Sequence, residues 1–163
     1  MIFVTVGTHE PFDRLVQAVD DWCGTIEEPP EILAQVTERA SYRPRHFPTV
    51  ATLTPEDYDH HVSRAQAIVS HAGMGSLITA FSARKPILIL PRRGHLHETR
   101  NDHQFATMQR FRKFAGVFAA EDETQLPQVM DRLHRAKNDL EATISPYADK
   151  ALISALRNFI HED

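Results

Sequence analysis

The stretch QAIVSHAGMGSLITAF, residues 66–81, contains an apolar run, two closely spaced glycines and a second apolar run. The segment 66–70 is typical of a strand buried in a parallel sheet. Gly73 and Gly75 permit positive φ or a close approach of the backbone to another group. The residues after the glycines have helical character to about Ala83. The stretch therefore predicts a strand, a tight turn and a helix in direct succession.

The same succession is predicted on both sides of this stretch. Residues 2–6, IFVTV, indicate a buried strand, and the apolar residues from Leu15 to Trp22 indicate the helix that follows it. Thr54 stands before Pro55 and is the predicted N-cap of a helix that runs to about Arg64. The further predicted elements are strands at 31–36, near Val50, from Lys85 and at 115–120, and helices from about Asp102 to Phe114, after Glu123 and from about Pro146.

Strands that alternate with helices favour an α/β fold, because parallel neighbours in a sheet need a helical crossover between them. We expect one parallel sheet with helices on both faces. The 163 residues fit a single domain of ordinary size. The predicted domain therefore spans residues 1–163.

The composition is that of a soluble globular protein, with 42% hydrophobic and 25% charged residues. No apolar run has the length of a membrane span, and the predicted strand at Ile2 leaves no room for a signal peptide, so a cytoplasmic protein is expected. The single Cys23 cannot form an internal disulfide. A formal charge of -4 gives no electrostatic footprint for nucleic acid. Ten histidines without a metal-ligand spacing predict no metal site.

Three unusual loops follow predicted strands, at residues 7–13, 71–76 and 91–101. The carboxyl ends of parallel strands meet at one edge of a sheet, where α/β folds bind ligands. The sequence therefore predicts a binding site at this edge. In the first loop, His9 has the chemistry for hydrogen bonding to phosphate or for proton transfer near neutral pH. It is the candidate catalytic residue.

The glycine turn has two interpretations. A helix start after Gly73 and Gly75 presents unpaired N–H groups and a positive dipole end, which suit phosphate. The alternative is a tight turn in which the glycines only avoid steric clashes. A dinucleotide-binding fingerprint needs a third glycine where the chain has Ile78, so NAD binding is disfavoured.

The loop at 91–101 carries side chains that suit a phosphorylated sugar. Arg92 and Arg93 suit bidentate contacts with phosphate or carboxylate, while Glu98, Asn101 and Gln104 suit hydroxyl groups. A solvated charged loop is the alternative, although long loops between buried elements are often functional. Asp102, next along the chain, is also a candidate cap for the helix that follows.

Three motifs resemble the donor-binding half of glycosyltransferase family 28: FVTVGTHEPFDRLV (3–16), SHAGMGSLITA (70–80) and KPILILPRRGHLHETRNDHQ (85–104). They occur in the family's order and cover nearly the whole chain. The sequence looks most like the small single-domain members, namely the bacterial PssE-type exopolysaccharide subunits and the catalytic subunit of the dolichol-linked N-acetylglucosaminyltransferase. The resemblance implies a Rossmann-like domain that forms one half of a GT-B enzyme.

The resemblance also implies a function and partners. The chain would be the donor-binding subunit of a two-part transferase, and it would use a UDP-sugar without a metal or other cofactor. The sugar, with glucuronate as a candidate, would go to a polyprenyl-diphosphate-linked sugar held by a membrane-anchored partner subunit. The chain would then lie at the membrane only through that partner. Three alternatives stay open: an N-acetylglucosaminyltransferase subunit, a nucleotide-sugar epimerase and a non-catalytic UDP-sugar-binding regulatory module.

The loops and the resemblance together give one set of candidate residues. His9 is the catalytic candidate. The resemblance departs at Thr79, where relatives place a glutamate that holds ribose hydroxyls, so ribose binding must be weaker or use Glu98. It departs again at Thr37, where the family has a glycine. The predicted donor-binding residues are Gly7, Thr8, His71, Ala72, Gly73, Met74, Gly75, Ser76, Thr79, Arg92, Arg93, Glu98, Asn101, Asp102, His103 and Gln104.

Overall fold

The computed structural model describes residues 1–136 together with residues 142, 154 and 157. Strands and helices alternate along this part of the chain as the sequence predicts, except that β3 follows β2 without a helix between them. The strands are β1 (Ile2–Thr5), β2 (Ile32–Gln35), β3 (Thr49–Val50), β4 (Ala67–His71), β5 (Ile87–Leu90) and β6 (Val117–Ala119). The helices are α1 (Asp13–Cys23), α2 (Pro55–Arg64), α3 (Met74–Ser82), α4 (His103–Phe111) and α5 (Leu126–Arg135).

The strands form one six-stranded sheet in the order β3-β2-β1-β4-β5-β6, and every pair is parallel. β1 lies between β2 and β4, so the direction of winding reverses at β1. Ligands of such sheets bind where the strand order reverses, beyond the carboxyl ends of the strands. The loops after β1 and β4 therefore meet over the same crevice.

Helices cover both faces of the sheet, because successive side chains of a strand point to opposite faces. Val4 and Leu88 pack on one face with residues of α1 and α5. Phe3 and Ile87 pack on the other face with residues of α2, α3 and α4. The predicted α/β fold, a parallel sheet with helices on both faces, is confirmed.

The predicted start of α2 is also confirmed. The Thr54 Oγ1 accepts a hydrogen bond from the Asp57 backbone N at 3.1 Å, and Pro55 occupies the first turn. α4 ends at Phe111 instead of Phe114, because the chain turns there: Phe114 N donates to Phe111 O, and the two rings pack with centroids 5.1 Å apart. The loop after β5 contains a single 3-10 turn at Gly94–Leu96 that the sequence did not predict.

Two predictions reach beyond this part of the chain. The predicted helix from about Pro146 lies outside the described residues, and the single domain over 1–163 stays a prediction. None of the helices in the described ranges is long and apolar enough to cross a membrane.

Candidate functional site

Two adjoining cavities lie at the carboxyl edge of the sheet. One has a volume of about 590 Å³ and the other about 610 Å³, and Gly7, Thr8, His9 and His71 line both. We name the first the charged chamber, whose further lining includes Glu10, Arg92, His97, Glu98, Arg100, Asn101, His103 and Gln104. We name the second the hydroxyl chamber, whose further lining includes Thr5, Gln35, Leu53, Thr54, Tyr58, Asp59, Gly75, Ser76 and Thr79.

The two glycines of the turn between β4 and α3 have different reasons to be glycine. A Cβ on Gly73 would lie 2.8 Å from the His71 Cδ2, too close for any real side chain. A Cβ on Gly75 would meet no heavy atom of the described residues within 4 Å. Gly73 is therefore required by the packing of the turn, whereas Gly75 keeps the start of α3 open toward the hydroxyl chamber.

His71 stands at the boundary of the two chambers, between Gly73 and Gly7. Gly7 has a φ of +84° and would place a Cβ 3.2 Å from the His71 Cε1. Burial, reinforced by the positive charge of Arg92, lowers the pKa of His71 to about 4. The imidazole is consequently neutral near pH 7.

A hydrogen-bond network sets the tautomer of that imidazole. The Ser70 hydroxyl lies 2.7 Å from the Thr5 carbonyl oxygen, which can only accept, so Ser70 donates its proton there. Ser76 Oγ at 2.8 Å and His71 Nδ1 at 3.1 Å must then donate to Ser70 Oγ. This assignment places the proton on Nδ1 and leaves His71 Nε2 as an acceptor.

Arg92 is the most buried charged side chain of the charged chamber, with 4% exposure. Its Nη2 donates to the backbone carbonyls of Val6 at 2.8 Å and Glu10 at 2.7 Å. Its Nη1 donates to the backbone carbonyls of Pro11 at 2.7 Å and Glu98 at 3.3 Å. Burial lowers its pKa. Arg92 therefore ties the loop after β1 to the loop after β5, a different task from the predicted bidentate phosphate contact.

Glu98 is likewise occupied within the protein. Its carboxylate accepts two hydrogen bonds at 2.8 Å from Arg14 and another at 2.8 Å from the Arg93 backbone N. The Arg14–Glu98 pair is largely buried, with side-chain exposures of 15% and 13%. Glu98 lines the charged chamber, but its carboxylate anchors the long loop, which competes with the predicted contact to ribose hydroxyls.

Arg93 lines neither chamber. Its guanidinium donates to the Glu121 carbonyl at 2.8 Å and lies 4.4 Å from the centroid of the Phe105 ring. The predicted contact of Arg93 with phosphate or a sugar carboxylate has no support from this position. Arg100, which the sequence did not select, is exposed and lines the charged chamber.

The remaining residues of the long motif divide between the chamber wall and the turns. Asn101, His103 and Gln104 line the charged chamber at the start of α4. Gln104 is 6% exposed and its Oε1 accepts from the Arg92 backbone N at 3.1 Å. Asp102 caps the 3-10 turn through Gly94 N at 2.8 Å instead of α4. The predicted residues that line neither chamber are Ala72, Gly73, Met74, Arg93 and Asp102.

His9 lies where the chambers meet. Its Nδ1 is 3.0 Å from the hydroxyl of its neighbour Thr8, and the side chain is exposed. This position gives it access to both chambers, and its role in catalysis stays a prediction.

Several neutral residues of the hydroxyl chamber were not predicted. Thr5 and Gln35 end β1 and β2, and Thr5 Oγ1 donates to Gln35 Oε1 at 2.7 Å while Gln35 Nε2 donates to the Gly7 carbonyl at 3.1 Å. The sequence signal that could have identified Thr5 and Gln35 is a polar residue at the end of a buried strand. No such signal marks Tyr58, because its position in the chamber depends on how α2 packs against the sheet.

The two sequence departures have separate outcomes. Thr79 lines the hydroxyl chamber with Tyr58. Thr37 lies outside both chambers and is 6% exposed, and its hydroxyl finds no hydrogen-bond partner among the described residues.

In residues 1–136, 142, 154 and 157, no three His, Cys, Asp or Glu side chains are grouped so that they could hold a metal ion.

The fold is similar to solved structures of low sequence identity. Methanocaldococcus jannaschii UDP-GlcNAc 2-epimerase, in complex with UDP-GlcNAc and UDP, matches with a TM-score of 0.58 and 9% identity over 99% of this chain and 45% of that chain. A structure concerned with EarP-mediated arginine glycosylation of translation elongation factor EF-P matches with a TM-score of 0.52 and 14% identity, over 99% of this chain and 61% of that chain. The spinosyn forosaminyltransferase SpnP matches with a TM-score of 0.52 and 13% identity, over 83% of this chain and 35% of that chain.

At these identities the likeness shows the fold alone, and it confirms the predicted Rossmann-like domain. The chain spans less than two thirds of each of the three proteins. No curated protein shows a significant sequence match to the chain. The model of the glycosyltransferase family 28 C-terminal domain, by contrast, matches residues 1–156. The chain therefore belongs to the glycosyltransferase family 28 C-terminal domain family.

Proposed function

We propose that the chain is the donor-binding subunit of a two-part, UDP-sugar-dependent hexosyltransferase. It would transfer a sugar from a UDP-sugar to a sugar carried on polyprenyl diphosphate in polysaccharide synthesis. The observation that carries the proposal is the pair of chambers that meet at Gly7 and His71, beside an open helix start at Gly75. A nucleotide-sugar has the same two-part form, with a diphosphate between two polar ends.

The start of α3 is the place for the diphosphate. Among the described residues no side chain caps the N-terminal N–H groups of α3, and Gly75 leaves them accessible from the hydroxyl chamber. Unpaired N–H groups and the helix dipole favour an anion there. The nucleoside then lies in the hydroxyl chamber and the sugar in the charged chamber.

The charged chamber has the groups that a transferred sugar needs. Asn101 and His103 stand on its wall at the start of α4, and amide and imidazole groups bind hydroxyls. The buried charge of Arg92 is offset by carbonyl dipoles instead of a directly bonded carboxylate. That charge and the start of α3 would stabilise the negative charge that grows on the leaving UDP, without any metal.

The acceptor half of the site is proposed to come from a membrane-anchored partner subunit, which would hold this chain at the cytoplasmic face of the membrane. His71 is held neutral and His9 is exposed at the junction of the chambers. We place the acceptor next to His9. The partner would complete the acceptor contacts.

Calorimetry with UDP and transfer assays with and without the partner's membranes test the proposal. We expect the purified chain to bind UDP and to transfer sugar only when the partner is present. Absence of any UDP binding would contradict donor binding itself. Binding without transfer under every partner condition would favour the regulatory module instead.

A further inference from the structure

We infer that Arg14 is a positioning residue for the donor sugar: through Glu98 it holds the long loop, residues 91–101, in the shape that receives the sugar. Its loss weakens the binding of the sugar part of the donor and leaves the binding of UDP unchanged. The inference rests on the proposed function, because that function places the sugar in the charged chamber. It adds a residue that lines neither chamber and that the sequence did not select.

Arg14 joins α1 to the long loop at two points. Its Nε and Nη2 donate to the two carboxylate oxygens of Glu98, each at 2.8 Å. The same Nη2 donates to the carbonyl oxygen of Pro91 at 3.0 Å. A bidentate pair between a guanidinium and a carboxylate fixes orientation as well as distance. Arg14 therefore holds the loop both at its first residue and at Glu98.

The place of Arg14 on α1 does not by itself explain a cation. Arg14 is the second residue of this helix, and the helix dipole makes a positive charge near the N-terminus unfavourable. The side chain is also only 15% exposed, so the guanidinium has lost most of its water. The contacts with the long loop offset both costs. Holding that loop is therefore what this arginine contributes.

Glu98 passes the constraint on to the wall of the charged chamber. Its Oε2 also accepts from the Arg93 backbone N at 2.8 Å, and its own carbonyl oxygen accepts from Arg92 Nη1 at 3.3 Å. Arg100 and Asn101 follow Glu98 by two and three residues and line the same chamber. A shift of Glu98 therefore moves the groups that face the sugar.

The loop after β6 supports Arg14 from the other side. Arg14 Nη1 donates to the Glu123 carboxylate at 2.7 Å. The same loop holds the long loop directly, because the Arg93 guanidinium donates to the Glu121 carbonyl oxygen at 2.8 Å. The Glu123 side chain is 47% exposed, so its ion pair with Arg14 contributes little. Arg14 thus acts on the long loop chiefly through Glu98.

The long loop serves one of the two chambers. It supplies His97, Glu98, Thr99, Arg100 and Asn101 to the wall of the charged chamber. Among the described residues, none from 91–101 lines the hydroxyl chamber, which includes Gly75 at the start of α3. A looser long loop therefore changes the place of the sugar, while the proposed places of the nucleoside and the diphosphate stay intact.

Calorimetry with UDP, UDP-glucose, UDP-N-acetylglucosamine and UDP-glucuronate tests this separation. The wild-type chain identifies the UDP-sugar that binds most tightly. Arg14→Lys keeps the charge but loses the bidentate geometry, so we expect the dissociation constant of that UDP-sugar to rise by about 10-fold. The dissociation constant of UDP should not change. In transfer assays with the partner, KM for the UDP-sugar should rise by a larger factor than kcat falls.

Glu98→Gln breaks the same link from its other side, and it keeps the inference testable if Arg14→Lys folds poorly. It should also raise the dissociation constant of the UDP-sugar and leave that of UDP unchanged. Adding Arg14→Lys to Glu98→Gln should raise the constant little further, because both changes break one contact.

Arg112→Lys is the matched control. Arg112 also pairs with a glutamate, Glu121, at 2.7 Å, but it is exposed and lines neither chamber. Its dissociation constants for UDP and for the UDP-sugar should both equal those of the wild type.

An equal rise for UDP and the UDP-sugar in Arg14→Lys overturns the inference, because a merely structural role weakens both. An unchanged constant for the UDP-sugar overturns it as well, and so does a wild-type chain that binds UDP but none of the three UDP-sugars. Failure of the wild-type chain to bind UDP is a separate result, which overturns the proposed function and the inference with it.

Discussion

The charged chamber and the hydroxyl chamber use their polar groups differently. In the charged chamber, Arg92 donates to backbone carbonyls, Glu98 is paired with Arg14, and Gln104 accepts from the Arg92 backbone. In the hydroxyl chamber, the start of α3 is open at Gly75. The charges of the long loop thus chiefly hold the loop in place, and the neutral side chains Thr5, Gln35 and Ser76 are likewise hydrogen-bonded within the protein. What the hydroxyl chamber offers a ligand is the open start of α3 with its backbone N–H groups.

The largest expected effect comes from removing the guanidinium of Arg92. Arg92→Met keeps an apolar stem but leaves buried carbonyls of both loops without a donor. We expect the free energy of unfolding to fall by about 3 to 4 kcal/mol, since each unsatisfied buried group costs about 1 to 3 kcal/mol. Chemical denaturation measures the change. Arg100→Met, on the exposed part of the same chamber, is the control and should change stability little. If Arg92→Met lost UDP affinity without losing stability, Arg92 would serve the ligand and would not chiefly hold the two loops together.

The next effect is a pH dependence that His71 introduces at the junction of the chambers. Its pKa in the folded chain is about 4 and its ordinary value is 6.5, so the unfolded chain binds the proton more readily. The contribution of His71 to stability is therefore full above about pH 6.5. It is lost as the pH falls toward 4, by about 3 kcal/mol.

Denaturation of the wild type and of His71→Asn between about pH 7 and about pH 4.5 measures this contribution. We expect the variant to lose less stability over that interval. His9→Asn, which removes an exposed histidine, should keep the wild-type slope. Equal slopes for the wild type and His71→Asn would show that the imidazole is not held neutral.

A third variant is expected to change stability and UDP binding in opposite directions. Gly75→Leu replaces a helical glycine with a good helix former, which favours stability by up to about 1 kcal/mol. The new side chain projects into open space beside the helix start. We expect UDP to bind at least about 10-fold more weakly, a change of about 1.4 kcal/mol. Calorimetry and thermal unfolding measure the two quantities.

The control for this experiment is Met74→Leu, one residue earlier, because Met74 is 47% exposed and lines neither chamber. It should leave UDP binding unchanged. Unchanged UDP binding in Gly75→Leu would mean that the open start of α3 does not hold the phosphates.

The smallest effect concerns a charged donor sugar. If the sugar is glucuronate, its carboxylate meets Arg100, the exposed arginine of the charged chamber. We expect Arg100→Gln to weaken binding of UDP-glucuronate relative to UDP by about 2- to 5-fold, as suits an exposed ion pair. Arg93→Gln should leave that ratio unchanged because Arg93 is engaged with Glu121 and Phe105. The reverse order would restore the role that the sequence assigned to Arg93.

The order of strands and helices was predictable, because the strands other than the two-residue β3 are short apolar runs. The meeting of the three loops was predictable as well, since the carboxyl ends of parallel strands share one edge. The partners of Arg92 and Glu98 were not, because they lie far away in sequence, at Val6 and Arg14. Charge in a loop motif does not reveal whether it faces a ligand or another loop.

Tyr58 was missed for a related reason. Periodicity predicts that α2 exists, but the rotation of α2 relative to α3 depends on packing against Phe3. The glycine turn was predicted as a choice between phosphate binding and steric need. The structure assigns the steric need to Gly73, and Gly75 stays open for the proposed phosphate.

The His71 ring lies close to both Gly7 and Gly73, and this limits which residues related chains can carry at these positions. Position 73 is glycine because of the ring, so a smaller residue at position 71 would permit alanine at 73, and the two positions should covary. Position 7 is different, because its φ of +84° favours glycine whatever stands at 71. In an alignment of related sequences, the residues at positions 71 and 73 should therefore change together, while position 7 remains glycine.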